Sequence, residues 1–274
     1  MELRPKASGP FWFLAIGLTV LAWASLLFWH ASPYGRYLHH WHWKGLGFAD
    51  AVCSQIPGGY WLAPAALYAG SWILMTAAMM LPTVLPLIRK FEGMTTARQD
   101  QATLHVLLIV GYLLVWLAFG IAAHLGDRGL HWMASNFGWL ASDGWAASAA
   151  MLAIAGAFQF SSLKYQCLDK CRSPIAFIMG YWHGPQPRRE AFTLGVAHGL
   201  YCVGCCWALM LLMFLVGMGS ISWMFALAIV MAMEKNHPWG RISAAPLGSC
   251  LLATAAFLIL LGFYGASPSR TTGP

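Results

Sequence analysis

Seven apolar runs, at about 11–29, 60–88, 104–125, 145–163, 191–216, 218–233 and 244–264, set the terms for any fold this chain can adopt. About 20 such residues cross the roughly 30 Å hydrocarbon core of a bilayer as a helix, because a helix satisfies its backbone N–H and C=O groups within the segment. The expected architecture is all-α: a polytopic membrane helix bundle of about seven transmembrane helices, forming one integral membrane domain over residues 1–274. Composition agrees, since only 9% of the residues are charged against about 25% in soluble domains. A soluble globular enzyme, a disordered chain and a disulfide-stapled secreted domain are excluded. No polar stretch is long enough to build a core outside the bilayer. The sixth run is short and follows the fifth almost directly, so a turn at Gly217-Met218-Gly219 would make the two a tight hairpin. Read as one bent element instead, they reduce the count to six.

Orientation follows from the basic residues. With the N-terminus in the cytoplasm, twelve of the 16 Lys and Arg fall on the cytoplasmic side, leaving only Arg36, Lys44, Arg128 and Arg270 outside. Short cytoplasmic loops retain positive charge in this way. The net charge of +7 is therefore read as topology, with the lipid bilayer as the first partner and no nucleic acid expected. Ala22-Trp23-Ala24 has the form of a signal-peptide cleavage site, but the apolar run continues to Trp29, which fits an uncleaved first helix better. The expected location is the cytoplasmic (inner) membrane.

The fifth run holds His198, Cys202, Cys205 and Cys206 within nine residues. At 100° per residue these side chains share one helix face, within roughly 100° of arc and about 12 Å of length. Gly195, Gly199 and Gly204 would let a neighbouring helix approach closely and bring further ligands to this stripe. Packing is the alternative, since buried cysteine also serves as a small hydrophobe. Cys167 and Cys171 stand four residues apart just past the fourth run, sharing a face if its helix continues. Lys164, Lys170 and Arg172 nearby would favour their thiolates. On the second run, Met75 and Met79 lie one turn apart on a face shared with Trp72. Thioethers are soft ligands suited to Cu(I), although methionine also fills gaps in apolar cores. Trp223, Met224, Met231 and Met233 on the sixth run share that ambiguity. Glu234 beside Lys235 reads as an interfacial ion pair or, alternatively, as a ligand or proton carrier. The first outer loop carries His39, His40 and His42, with His30 before them, among tryptophans. They form either an outer metal-capture site or part of an interfacial aromatic belt. Cys53 and Cys250 on the outer side could pair in an oxidising compartment.

Three groups of residues, taken in order, resemble the bacterial family of predicted metal-binding integral membrane proteins. One branch of that family is described as the membrane copper chaperone of polyphenol oxidase (tyrosinase). The first group is Trp72-x-x-Met75 with Ala78-Met79-Met80-Leu81-Pro82. The second is Gln159 with Leu163-Lys164-x-x-Cys167-Leu168-x-x-Cys171-Arg172-x-Pro174. The third is Gly199-x-x-Cys202-x-Gly204-Cys205-Cys206-Trp207-x-Leu209-Met210, with Trp223-Met224 and Glu234-Lys235 completing the pattern. The resemblance covers about residues 70–240. It implies copper handling and delivery, with Met75, Met79, Met80, Cys167, Cys171, Cys202, Cys205 and Cys206 as the ligands carried over, and a copper enzyme client or copper carrier as partner. His198 and the loop histidines enter from spacing alone.

The function expected is Cu(I) binding and delivery without catalysis. One rival is a membrane thiol-disulfide oxidoreductase using Cys202 and Cys205, which needs thiol access that mid-membrane burial opposes. The other is a non-catalytic subunit of a larger membrane complex. The sequence holds no phosphate-binding glycine loop, zinc-protease helix or serine-nucleophile turn.

Overall fold

A computed structural model of the chain describes residues 10–31, 59–136, 144–216 and 220–265. These residues form nine α-helices and no strand: α1 (Pro10–Ala31), α2 (Gly59–Thr95), α3 (Gln101–Asn136), α4 (Gly144–Phe158), α5 (Ser162–Arg172), α6 (Pro174–Tyr181), α7 (Pro187–Val216), α8 (Ile221–Asn236) and α9 (Gly240–Gly265). Five of them, α1, α2, α3, α7 and α9, are long and apolar enough to cross a membrane, and α4 with α5 makes a sixth if that bent pair counts as one span. At 16 residues, α8 reaches only about 24 Å at 1.5 Å per residue. It falls short of the transmembrane length expected for the sixth apolar run. The expected turn at Gly217 to Gly219 lies outside the described residues, as do His39, His40, His42 and Cys53.

The fourth apolar run is broken rather than straight. Its two parts, Ala146–Phe158 and Ser162–Arg172, meet at 61°. The ladder tightens at the break, where the N–H groups of Gln159, Phe160 and Ser161 donate to carbonyls three residues back, at 3.0–3.1 Å. The Ser161 hydroxyl then accepts from the Lys164 N–H at 3.1 Å, satisfying a donor that a new helix start leaves free. Because of this bend, Cys167 and Cys171 sit on α5 against the bundle instead of trailing into a loop.

Proline organises the contact of α1 with α2. Pro82 has no N–H to give the carbonyl of Ala78 four residues before it. The Trp23 indole of α1 donates to that carbonyl at 2.9 Å. In the short α2–α3 connection, the Arg98 guanidinium donates to both oxygens of Asp100 at 2.8 and 3.1 Å and holds that carboxyl below its ordinary range.

Small residues set the approach of α3 to α7. A Cβ at Gly111 would lie 2.6 Å from the Phe192 carbonyl oxygen, one at Gly199 would lie 2.9 Å from Val115 Cβ, and one at Gly195 would overlap the Leu108 carbonyl. Glycine here permits backbone-to-backbone packing that no side chain would allow. Gly195→Ala should therefore destabilise the protein by about 1–3 kcal/mol through overpacking. Gly17→Ala, on α1 with nothing within 4 Å, should leave stability unchanged or slightly raised. Thermal unfolding in detergent, compared between the two variants, checks this.

Candidate metal centre

The buried stripe on α7 meets side chains from five other helices. Cys202, Cys205 and Cys206 are all at most 1% exposed. The Tyr112 hydroxyl of α3 lies 3.0 Å from Cys202 Sγ. From the end of α8, Lys235 Nζ donates to Cys202 Sγ at 2.9 Å, stands 3.8 Å from both Cys206 Sγ and Met80 Sδ, and reaches Thr83 Oγ1 of α2 at 3.4 Å. Cys206 Sγ is 4.0 Å from Met80 Sδ. Three sulfurs from two helices thus surround one ammonium nitrogen.

The chain path explains how Lys235 gets there. Cys202 and Lys235 lie equally far along the chain from the 217–220 connection, so two helices running back from it arrive at the same level. Cys205 and Cys206 turn toward their own helix and donate to the Cys202 carbonyl at 3.1 and 2.8 Å. Cys171 of α5 adjoins Cys205 where α5 packs on α7. Gly204 opens the other flank, because a Cβ there would sit 2.7 Å from Cys167 Sγ. Of the three glycines on this helix, Gly195 and Gly199 admit α3 and Gly204 admits Cys167. Both α5 cysteines therefore adjoin the α7 stripe, Cys167 buried and Cys171 half-buried.

A second buried group braces this arrangement. Lys164 Nζ lies 2.8 Å from both oxygens of Glu234 and also donates to Gln159 Oε1. Lys164 is fully buried and Glu234 only 2% exposed. The structure thus corrects the sequence-based pairing of Glu234 with Lys235. Adjacent residues on a helix point about 100° apart, so Glu234 faces α5 while Lys235 faces the sulfurs. Lys164 is likewise committed to Glu234 and not to the neighbouring thiols. Arg172 at the end of α5 donates to the carbonyls of Glu234, His237 and Pro238 at 2.6, 2.8 and 3.0 Å, capping the last turn of α8.

The remaining sequence-derived candidates fall around this cluster. Met75 and Met79 are buried on α2 and make no hydrogen bond to the cysteines; the methionine that reaches them is Met80. His198 packs between the rings of Tyr112 and Phe177, with centroids at 5.9 and 5.4 Å. Its Nδ1 has no hydrogen-bond partner. His30 is exposed in the last turn of α1, and Cys250 is exposed and free. Among the described residues no three or more His, Cys, Asp or Glu side chains stand in position to hold a metal ion. The sulfur set that converges here includes a thioether and has an ammonium between its members.

Spacing alone did not single out Lys235, Tyr112 or Thr83. The signal for Lys235 was present: it continues the buried stripe of Met224, Leu227 and Met231 at three- and four-residue steps, marking a lysine that faces inward. Tyr112 continues Leu104 and Leu108 on α3 in the same way.

A family model described as PpoB2, copper chaperone, matches residues 69–261. No curated protein and no solved structure matches the chain. The match spans α3 to α8 in full and all of the sulfur cluster.

The Lys164–Glu234 pair yields a stability test. Removing one member strands the other charge in an apolar core, at a cost of about 3–5 kcal/mol, whereas replacing both with apolar residues of similar volume is far less costly. Glu234→Gln should destabilise strongly, and Lys164→Met combined with Glu234→Leu should recover most of the loss. A double-mutant cycle read by denaturation in detergent checks the coupling.

Proposed function

We propose that this chain, which belongs to the PpoB2 copper chaperone family, is a multi-pass inner-membrane protein that carries Cu(I) as cargo in its sulfur cluster and hands it to a copper enzyme or another copper carrier. The observation that supports this best is the convergence of Cys202, Cys206 and Met80 from α7 and α2 on one buried point. Thiolate and thioether are soft donors, and such a set selects Cu(I) over the hard cations Mg, Ca and Mn, which require oxygen ligands.

Cys205 and Cys171 make the next step, with Cys167 beside them. Cu(I) accepts few ligands, so it passes along such a chain by exchanging one sulfur for the next, with no change of oxidation state. Met75 and Met79, buried on the same helix as Met80, and His198, one turn before Cys202 on α7, are the further ligands of this reading. His39, His40 and His42 serve as the capture site on the outer face. The N-terminus lies in the cytoplasm, in keeping with the distribution of basic residues. A carrier fits the burial of the thiols better than an oxidoreductase does, because thiol-disulfide exchange requires an accessible attacking sulfur.

Metal content tests the reading directly. Protein grown with copper, purified in detergent and kept reduced should retain Cu(I), and the Cys202/Cys205/Cys206→Ser variant should lose it. Met80→Leu should weaken retention by about tenfold or more. Equal copper in the parent and the triple variant would remove the α7 cysteines from the site, and no copper in either would overturn the reading.

A further inference from the structure

Lys235 is the least expected occupant of a soft-metal site. An ammonium brings three donors and no acceptor, and sulfur is a weak acceptor. Yet Lys235 Nζ is almost fully buried with the Cys202, Cys206 and Met80 sulfurs and the Thr83 hydroxyl as its partners. The adjacent carboxylate does not serve it, since Glu234 is engaged by Lys164. A hard, strongly hydrated monocation therefore stands among ligands that suit a soft monocation.

We propose that the Lys235 ammonium is a tethered placeholder for Cu(I), so that loading exchanges one +1 charge for another and release is assisted by the returning ammonium. This deepens the copper reading and rests on it. Three features support it. The nitrogen lies between the same sulfurs that would ligate the ion, within 2.9–3.8 Å of each. Cu(I) and an ammonium carry equal charge, so the exchange leaves the charge at the buried point unchanged. Burying an additional uncompensated charge there would be costly. The side chain is a flexible four-carbon stem at the penultimate position of α8, able to withdraw without moving the helix. Exchange is complete in atoms, protons and electrons: Cu(I) arrives from and departs to a soft-donor carrier, the Cys202 thiolate facing the ammonium and the neutral Met80 thioether take it, Cys206 keeps the proton it donates to the Cys202 carbonyl, and no electron moves.

The test uses the full-length chain in detergent, loaded with Cu(I), with release to an excess of a strong soluble Cu(I) chelator followed by absorbance. Lys235→Leu and Lys235→Gln, both uncharged and poor Cu(I) ligands, should each release copper about tenfold more slowly than the parent, affinity differences among variants of one site residing mainly in the off-rate. Release that is unchanged or faster in both variants would overturn the placeholder while leaving copper binding intact. A parent that holds no Cu(I) would instead bring down the copper reading itself, and the placeholder with it. Should neither variant fold, a high-resolution structure of the loaded parent decides. The proposal requires Lys235 Nζ to have left hydrogen-bond distance of Cys202 Sγ, and an amine still near 2.9 Å from that sulfur would refute it.

Discussion

Two lysine ammonium groups buried in an apolar bundle impose a demand that the surrounding helices are arranged to meet. An unpaired charge in such a medium costs several kcal/mol even after relaxation, so each lysine dictates what must be packed beside it. Lys164 takes Glu234, tying α5 to the end of α8. Lys235 takes the sulfurs, tying the same end of α8 to α7 and α2. Two neighbouring residues of one helix, pointing in different directions, thereby lock the bent α5 and the cysteine stripe into a single register. Arg172 adds a third tie by capping α8 from the end of α5.

These ties work because the helix backbones can come close. Glycines at 111, 195 and 199 let α3 and α7 pack with almost no intervening side chain, and Gly204 gives Cys167 its place beside α7. A deletion of side-chain volume on one helix thus becomes a position for a functional group on the next. Proline contributes in the opposite sense: Pro82 frees a carbonyl that Trp23 then uses to anchor α1, so a missing donor within one helix becomes a bond between two. The Trp72 indole makes a comparable link, donating to the Trp116 carbonyl of α3 at 2.8 Å.

The thiols lie on two packed helices: Cys202, Cys205 and Cys206 in the middle of α7, and Cys167 and Cys171 beside them on α5. On the proposed copper reading, a monovalent soft ion needs only two or three such donors at a time.

The helical class, the long apolar elements and the cysteine stripe of α7 were legible in the sequence because hydropathy and the 100° helical step are local properties. The order and spacing of the Cys, Met and Glu-Lys groups also carried the family resemblance. Only the tertiary structure decided that the fourth apolar run bends at residues 159–161, that Met80 rather than Met75 or Met79 reaches the cysteines, and that Glu234 pairs with Lys164 and not with its neighbour. Each of these depends on which helix faces which and at what distance, a question settled by glycine contacts and buried charges separated by tens of residues along the chain. Periodicity fixes the face a residue occupies on its own helix, while the partner opposite that face is chosen by the packing of the whole bundle.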